Sequence, residues 1–482
     1  MKQKTEKQIE AVTEGITLGE QLSDSTSSTT TVEDVKTQEH PKLSLLLTLV
    51  VWACRILVGG VFAFSGFVKA IDPWGSFYKF NEYILTLGID WLQPLSLFMA
   101  FAVPVIEFVL GVAVLVGAYR RVAPFLVVLF MCIATPLTLW LAATNAVPDC
   151  GCFGDAIKLS NWATFWKNVV LLLGAIFLLI KNRKASGLYS PAIQWILIAF
   201  TFAFVMSIAC YGYFKQPLID FRPFTEGTQL ASTSASTNEA DYVFVYEKNG
   251  VQQEFEINNL PDENEWSFVD RRPKRTAPRS NAYAKSLSVF DGGDNVSDVL
   301  LSSDKLVLFL MPDMSKVSIS YTFLINELND YAIEQGASVA AVTAGTDRDI
   351  AWWRDISMAH YPVFTADDSE IKMIARGNPA VVYVENQQIM WKRTLGSIKS
   401  ERLHDMELSL KTLCNDYDST QVLDNLVKWY LLAILVLLVF NRLCTLMAWS
   451  WGRGKAKATE SAAVTDGKVS LSTSTADEEQ EK

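Results

Sequence analysis

Histidine is scarce and basic charge does not dominate. Three histidines (His40, His360 and His404) in 482 residues leave little for a metal centre, and none falls in the apolar half of the chain. Structural zinc takes about four nitrogen or sulfur ligands, so no metal site is expected. A net charge of −10 leaves no basic face for nucleic acid. No apolar stretch follows the first lysines before residue 43, so a secretory signal is not expected either. Residues 1–42 are rich in Gln, Glu, Ser and Thr, and too little of that segment is apolar to offset the cost of ordering it. They read as a disordered cytoplasmic tail.

Apolar residues are what the chain has in excess. Half of it is hydrophobic, 12% is aromatic, and the mean hydropathy is positive. That composition points to a multi-span membrane protein, and the length to two or three domains. Six stretches are long enough to cross about 30 Å of hydrocarbon. They run approximately 45–67, 95–117, 122–146, 165–180, 192–214 and 426–449. Trp162 and Trp166 suit an interfacial belt at the start of the fourth, where Ser160 is a plausible N-cap.

Orientation follows from the loops. Arg120-Arg121, Lys181 to Lys184, and the cluster Arg442, Arg453, Lys455, Lys457 all belong to one side, which the positive-inside rule makes cytoplasmic. Both termini are then cytoplasmic in an inner membrane. The loop Cys150-Gly151-Cys152 and the insert from 215 to 425 face outward, toward a periplasm-like compartment.

The insert reads as soluble. A β-hairpin is expected around Asn249-Gly250 within a β-rich linker over 215–284. Strand and helix then alternate over 285–415: strand 305–311, helix 321–335, strand 338–343, helix 347–358, strand 362–365 and helix 370–375. A hairpin 380–384/388–393 and a helix 403–413 close the domain. This is the order of elements of a thioredoxin fold, but Pro312-Asp313-Met314-Ser315-Lys316 stands where a Cys-x-x-Cys motif would follow the first strand. Asn378-Pro379 resembles the cis-proline position that cradles a peptide, making Pro379 a peptide-binding candidate. Without cysteine in that first loop the domain cannot run dithiol exchange alone, so docking is its expected role. A last span (424–450) precedes a tail, 452–482, read as disordered and cytoplasmic.

Arg55-x-x-x-Gly59, Phe62-x-x-Ser65-Gly66-x-x-Lys69, Glu107-x-x-x-Gly111 and Gly117 resemble the first two spans of DoxX-like proteins. The run Cys150-Gly151-Cys152-Phe153-Gly154-Asp155, followed by Asn161-Trp162 and Trp166-Lys167-Asn168, resembles the MauE (methylamine utilisation) branch of that group. Gln216 to Pro223 resembles a stretch after the fifth span of longer members that carry a thioredoxin-like ectodomain. The resemblance implies a four-helix DoxX/MauE-like bundle over 43–182, comparable to that of vitamin K epoxide reductase. A fifth helix (190–214) and an α/β thioredoxin-like soluble domain would follow. It also implies a part in disulfide handling outside the membrane.

Two constellations carry chemistry. Cys150 and Cys152 lie close together in an exposed loop of an oxidising compartment, and a Cys-x-Cys bridge closes a small, labile ring. A redox pair, a structural disulfide and two packed thiols all fit, and Cys210 and Cys414 are candidate exchange partners. Cys54 and Cys132 read as packing residues. Arg55 and Glu107 each fall about twelve residues into their spans, near the midplane, where charges pair inside the bundle. A structural ion pair is expected; a proton relay or quinone-site carboxylate is the functional counterpart.

Three functions follow. The first is a thiol–disulfide oxidoreductase or maturation factor for envelope proteins, working through Cys150 and Cys152. The second is a non-catalytic membrane scaffold whose ectodomain binds partner proteins. The third is an accessory subunit of a quinol-linked complex. No cofactor is identified from the residues, and a quinone belongs to the third reading. The partners expected are envelope proteins or a redox partner, and membrane lipid.

Overall fold

The computed structural model describes residues 41–147, 149–232, 242–248, 251–256, 266–273, 286–405, 407–415 and 418–478. Six of its helices are long and apolar enough to cross a membrane. They are α1 (Pro41–Ile71), α3 (Ser96–Val116), α4 (Val122–Thr144), α5 (Asn161–Lys181), α6 (Gln194–Phe214) and α12 (Ser419–Glu478). Between α1 and α3 lies α2 (Pro73–Thr86), a shorter helix outside the six spans. Asp72 caps α2 by accepting from the Gly75 amide, and Pro73 occupies its first turn, where a missing N–H costs nothing. Ser160 caps α5 as its position suggests, accepting from the Ala163 amide.

The pair α1–α3 forms the spine. One apolar cluster joins it to α4 and α5 through Val58, Leu110, Val127 and Leu171; a second joins it to α6 and α12 through Ile71, Phe108, Val205 and Leu426. Phe204 on α6 stacks on Tyr430 of α12 at 4.1 Å between centroids. Small residues bring the two spine helices together: a Cβ at Gly66 would lie 2.4 Å from the Phe108 nitrogen, and one at Gly111 2.3 Å from that of Ala63. This close approach of backbones through glycine is the packing mode that membranes favour. Ile133, Leu173, Trp195 and Leu446 stay exposed on the outer faces, where lipid tails would cover them.

The soluble part is an α/β domain on a seven-stranded mixed sheet. Its strands are β6 (Val289–Asp291), β7 (Asp294–Asn295), β8 (Lys305–Met311), β9 (Ser338–Thr343), β10 (Val363–Ala366), β11 (Ala380–Glu385) and β12 (Gln388–Thr394), in the order β12-β11-β8-β9-β10-β6-β7. The three central strands β8, β9 and β10 run parallel, while β11 and β12 are antiparallel to their neighbours. Alternate residues of β8 feed two separate cores, Val307, Phe309 and Met311 on one face and Leu306, Leu308 and Leu310 on the other. Burial on both faces explains why this strand is a continuous apolar run. Helices α7 (Ser297–Leu301), α8 (Thr322–Glu334), α9 (Asp347–Ser357), α10 (Asp368–Ile374) and α11 (Ser400–Leu403) complete it.

Shorter strands lie outside the main sheet. β1 (Ala231–Ser232) pairs with β5 (Ser286–Leu287), and β2 (Tyr242–Lys248) pairs with both β3 (Val251–Glu256) and β4 (Ser267–Pro273). The expected hairpin is therefore present in its strands, with its turn outside the described residues. Arg271 and Arg272 belong to β4.

Three expectations need correction. The helix expected over 403–413 is only the single turn Ser400–Leu403, followed by turns in which Leu410 and Leu413 still reach the core. Among the described residues there, Leu403, Leu410, Leu413 and Cys414 join the core, and irregular backbone buries them without a helix. The tail expected to be disordered from 452 instead continues α12 through Glu478. It opens on Gly452-Arg453-Gly454, followed by Lys455-Ala456-Lys457-Ala458, and it has no proline to stop a helix already under way. Cys132, read as a packing residue, is exposed on the outer face of α4. The expectation of disorder over 1–40 lies outside the described residues.

The spine predicts a contrast between two glycines of one helix. Gly66→Ala must push α1 off α3 and should cost about 1–3 kcal/mol as overpacking. Gly60→Ala, with nothing within 4 Å of the added carbon, should be neutral. Thermal unfolding in detergent checks both, and equal losses would disprove the close approach.

Candidate functional site: the disulfide loop and its cleft

The loop after α4 brings Cys150 and Cys152 together as a disulfide, with Cα atoms 5.3 Å apart. Gly151 between them has φ +61°, the left-handed region that favours glycine, and a Cβ there would sit 3.1 Å from Cγ of Lys79, which would have to shift slightly. The loop is held from several directions. The Tyr83 hydroxyl donates to the Cys150 carbonyl, and the Ser65 hydroxyl lies 2.7 Å from the Cys152 carbonyl. Lys79 lies 3.4 Å from Asp149, whose other contact is the Gly151 amide at 3.0 Å. Burial, followed by the charges of Asp149 and Glu82, holds the Tyr83 phenol above its ordinary pKa, so it remains a donor.

Behind the disulfide a cleft opens into the bundle. Its wall is mostly apolar, with Phe62, Phe80, Phe130 and Leu171, and both loop cysteines line it. One polar cluster breaks that wall. Glu107 accepts from Lys69 at 2.7 and 2.9 Å, and the Ser65 hydroxyl stands 2.8 Å from Glu107. Lys167 lies over the Phe153 ring at 4.3 Å, and Asn168 donates to Thr138. Two lysines and one glutamate thus face an apolar space beside a disulfide, an arrangement suited to stabilising negative charge that appears there.

Residues 47–181, which hold the loop and the cleft, match the family model of methylamine utilisation protein MauE. The membrane core is a MauE domain. A second match covers residues 240–276, to a domain of unknown function (DUF8463). No curated protein matches the chain.

The MauE domain does not pair Arg55 with Glu107. Arg55, fully buried, donates to Asn182 Oδ1 at 2.7 Å and to the carbonyls of Asn182, Ala185 and Ser186, while Glu107 takes Lys69. The reason is register. α1 and α3 are antiparallel, and Arg55 sits against Gly117 while Gly66 sits against Phe108. Glu107 therefore faces Ser65, ten residues or about 15 Å along α1 from Arg55. The two spans are staggered, so similar counts from their own edges do not bring the two residues to one level.

Neither candidate exchange partner lines the cleft. Cys210 lies half-buried on α6, and Cys414 is buried in the soluble-domain core among residues such as Leu410 and Leu413. Pro379 follows a cis peptide bond and lines a different space, a groove shared with Asn378, Asp313, Trp74, Tyr78 and Tyr213. Helix α2 divides the two spaces: Gly75, Ser76, Lys79, Phe80 and Tyr83 face the cleft, and Trp74, Phe77, Tyr78 and Asn81 face the groove.

Sequence reasoning missed Tyr83, Asp72 and Arg376 as parts of this site, and named Asp155 only within the run that carries the family resemblance. Arg376, in the loop before β11, binds Asp72 and Asp155 across the junction. Burial works to lower its pKa, but Asp72 and Asp155 outweigh it and hold it above the ordinary value. Ser65 and Lys69 carried a signal, since their i, i+4 spacing places them on one face of α1.

Breaking the Glu107 pair from one side should be costly. Lys69→Ala leaves a buried carboxylate alone and should lose about 3–5 kcal/mol, of which Lys69→Ala/Glu107→Ala should recover part. A double-mutant cycle on unfolding midpoints should find coupling for Lys69–Glu107 and none for Arg55–Glu107.

Proposed function

We propose that the chain is a membrane thiol–disulfide exchange protein whose working pair is Cys150 and Cys152. The observation that supports this best is that the two bonded cysteines line an apolar cleft carrying Lys69, Lys167, Glu107 and Ser65. In the forward step a client thiolate attacks one sulfur of the loop disulfide and forms a mixed disulfide, and the other sulfur leaves as a thiolate. The second client thiol, once deprotonated, displaces that bond. The client leaves as a disulfide and the loop is a dithiol, having taken up two electrons and two protons. The two lysines favour the thiolate that departs at each stage.

Return to the disulfide needs a two-electron acceptor. The apolar walls suit a membrane quinone, and Ser65, Lys69 and Lys167 would hold its polar head. When bound, such a group would supply the acceptor for both electrons.

The soluble domain fits a docking role in this scheme. Four strands in the order β12-β11-β8-β9, with β8 and β9 parallel and β11 antiparallel to β8, match the order of a thioredoxin core. The loop after β8 carries an Asp313–Lys316 ion pair where that fold would carry its cysteines. Clients would lie along the groove at Pro379. The pair Cys150–Cys152 would face the outer compartment of a cytoplasmic membrane, with Arg120-Arg121 and Lys181 to Lys184 inside.

Two experiments test the reading. Acid-quenched alkylation of native membranes should find Cys150 and Cys152 as a mixture of dithiol and disulfide, and Cys152→Ser should trap client-linked bands that collapse on reduction. Full function and normal abundance of Cys150→Ser/Cys152→Ser would refute exchange and leave the scaffold role. For orientation, an impermeant maleimide should reach a cysteine placed at Ser186 only after lysis. Labelling of intact spheroplasts there would reverse the topology.

A further inference from the structure

The Cys150–Cys152 loop is held by more than the MauE domain. Arg376 belongs to the soluble domain, in the turn between α10 and β11, yet its guanidinium lies between two carboxylates of the membrane domain. Nη2 stands 2.7 Å from Asp155 Oδ2 and 2.8 Å from Asp72 Oδ2, Nε donates to the same Asp72 oxygen at 2.8 Å, and Nη1 donates to the Lys372 carbonyl at 2.7 Å. The side chain is only 6% exposed. Its backbone is fixed by Gln216, which donates to the Arg376 carbonyl and accepts from the Arg376 amide.

Each carboxylate has a second task. Asp155 comes three residues after Cys152, so its anchor fixes the far end of the disulfide loop. Asp72 caps α2, the helix whose Tyr83 and Lys79 hold the near end. One planar cation with several donors in fixed directions serves both, a geometry lysine cannot reproduce. Without it, two carboxylates that approach the same nitrogen atom would repel each other, and the loop and the start of α2 would move apart.

We propose that Arg376 is a positioning residue that the soluble domain contributes to the redox loop, holding Cys150 and Cys152 in the arrangement that favours their disulfide. This rests on the reading of the loop as an exchanging pair. The consequence is thermodynamic. At equilibrium the loop disulfide plus two glutathione thiols gives the loop dithiol plus one glutathione disulfide. Any contact that holds the two sulfurs at bonding distance shifts this toward the loop disulfide. Loss of the contact should therefore let a weaker reductant open the bond.

The test titrates full-length protein in native membranes with glutathione buffers and reads the loop by alkylation. Arg376→Ala should move the midpoint toward reduction by about tenfold in the equilibrium constant, or about 30 mV for a two-electron couple. Asp155→Asn, a milder change at a partly exposed residue, should move it in the same direction. The double variant should show no further shift, and Arg376→Lys should fall between wild type and alanine. Unchanged midpoints in Arg376→Ala and Asp155→Asn, alongside a normally reducible wild-type disulfide, would reduce Arg376 to a docking contact and overturn the proposal. If Arg376→Ala does not accumulate, Asp155→Asn alone decides. A wild-type disulfide that resists even dithiothreitol would instead defeat the exchange reading on which this stands.

Discussion

A carboxylate in the apolar interior of a membrane bundle must be neutralised or paired, and the choice of partner for Glu107 organises this molecule. Its two oxygens take Lys69 and lie beside Ser65 on the facing helix, and the Ser65 hydroxyl also reaches the Cys152 carbonyl. Two polar contacts in sequence thus run from the buried charge to the disulfide loop. It exists because Gly66 and Gly111 let α1 and α3 approach closely enough for short side chains to meet. A wider spacing would leave the charge, the hydroxyl and the loop without a common geometry.

Arg55 solves the same problem at the other end of the bundle. It satisfies the carbonyls of the turn after α5, where a helix C-terminus leaves oxygens without partners, and it stacks near Trp52. Arg55 and Glu107 are therefore both compensated, but locally. One organises the end with the disulfide and the other the end with the basic loops.

The spans were legible because about twenty apolar residues in a row have few alternatives, and Ser160 and the β8–β9 strands were legible from local chemistry. Partner assignment was not. Depth counted from the edge of an apolar stretch assumes that neighbouring spans lie level, and α1 and α3 are staggered, so that Gly66 rather than Arg55 faces the turn that carries Glu107. The short strands β6 and β7 hold three and two residues, too few for any periodicity to register. Arg376 was invisible for a different reason. Its partners are 304 and 221 residues away, and nothing local distinguishes it from a surface arginine. The cysteines of the loop stood out by spacing alone, whereas the groups that hold the loop come from α1, α2 and the soluble domain.

The soluble domain is fastened to the bundle at both of its ends, by α6 before it and by α12 after it, and these two helices pack on each other through Phe204 and Tyr430. Such a double tether confines the domain to a small volume above the loop, so its local concentration is in the millimolar range or higher. Few contacts are then needed to keep it seated. The same confinement sets a threshold for visitors: a polypeptide that needs the domain lifted must compete with a neighbour that never diffuses away, and one that fits beneath it meets a surface already assembled.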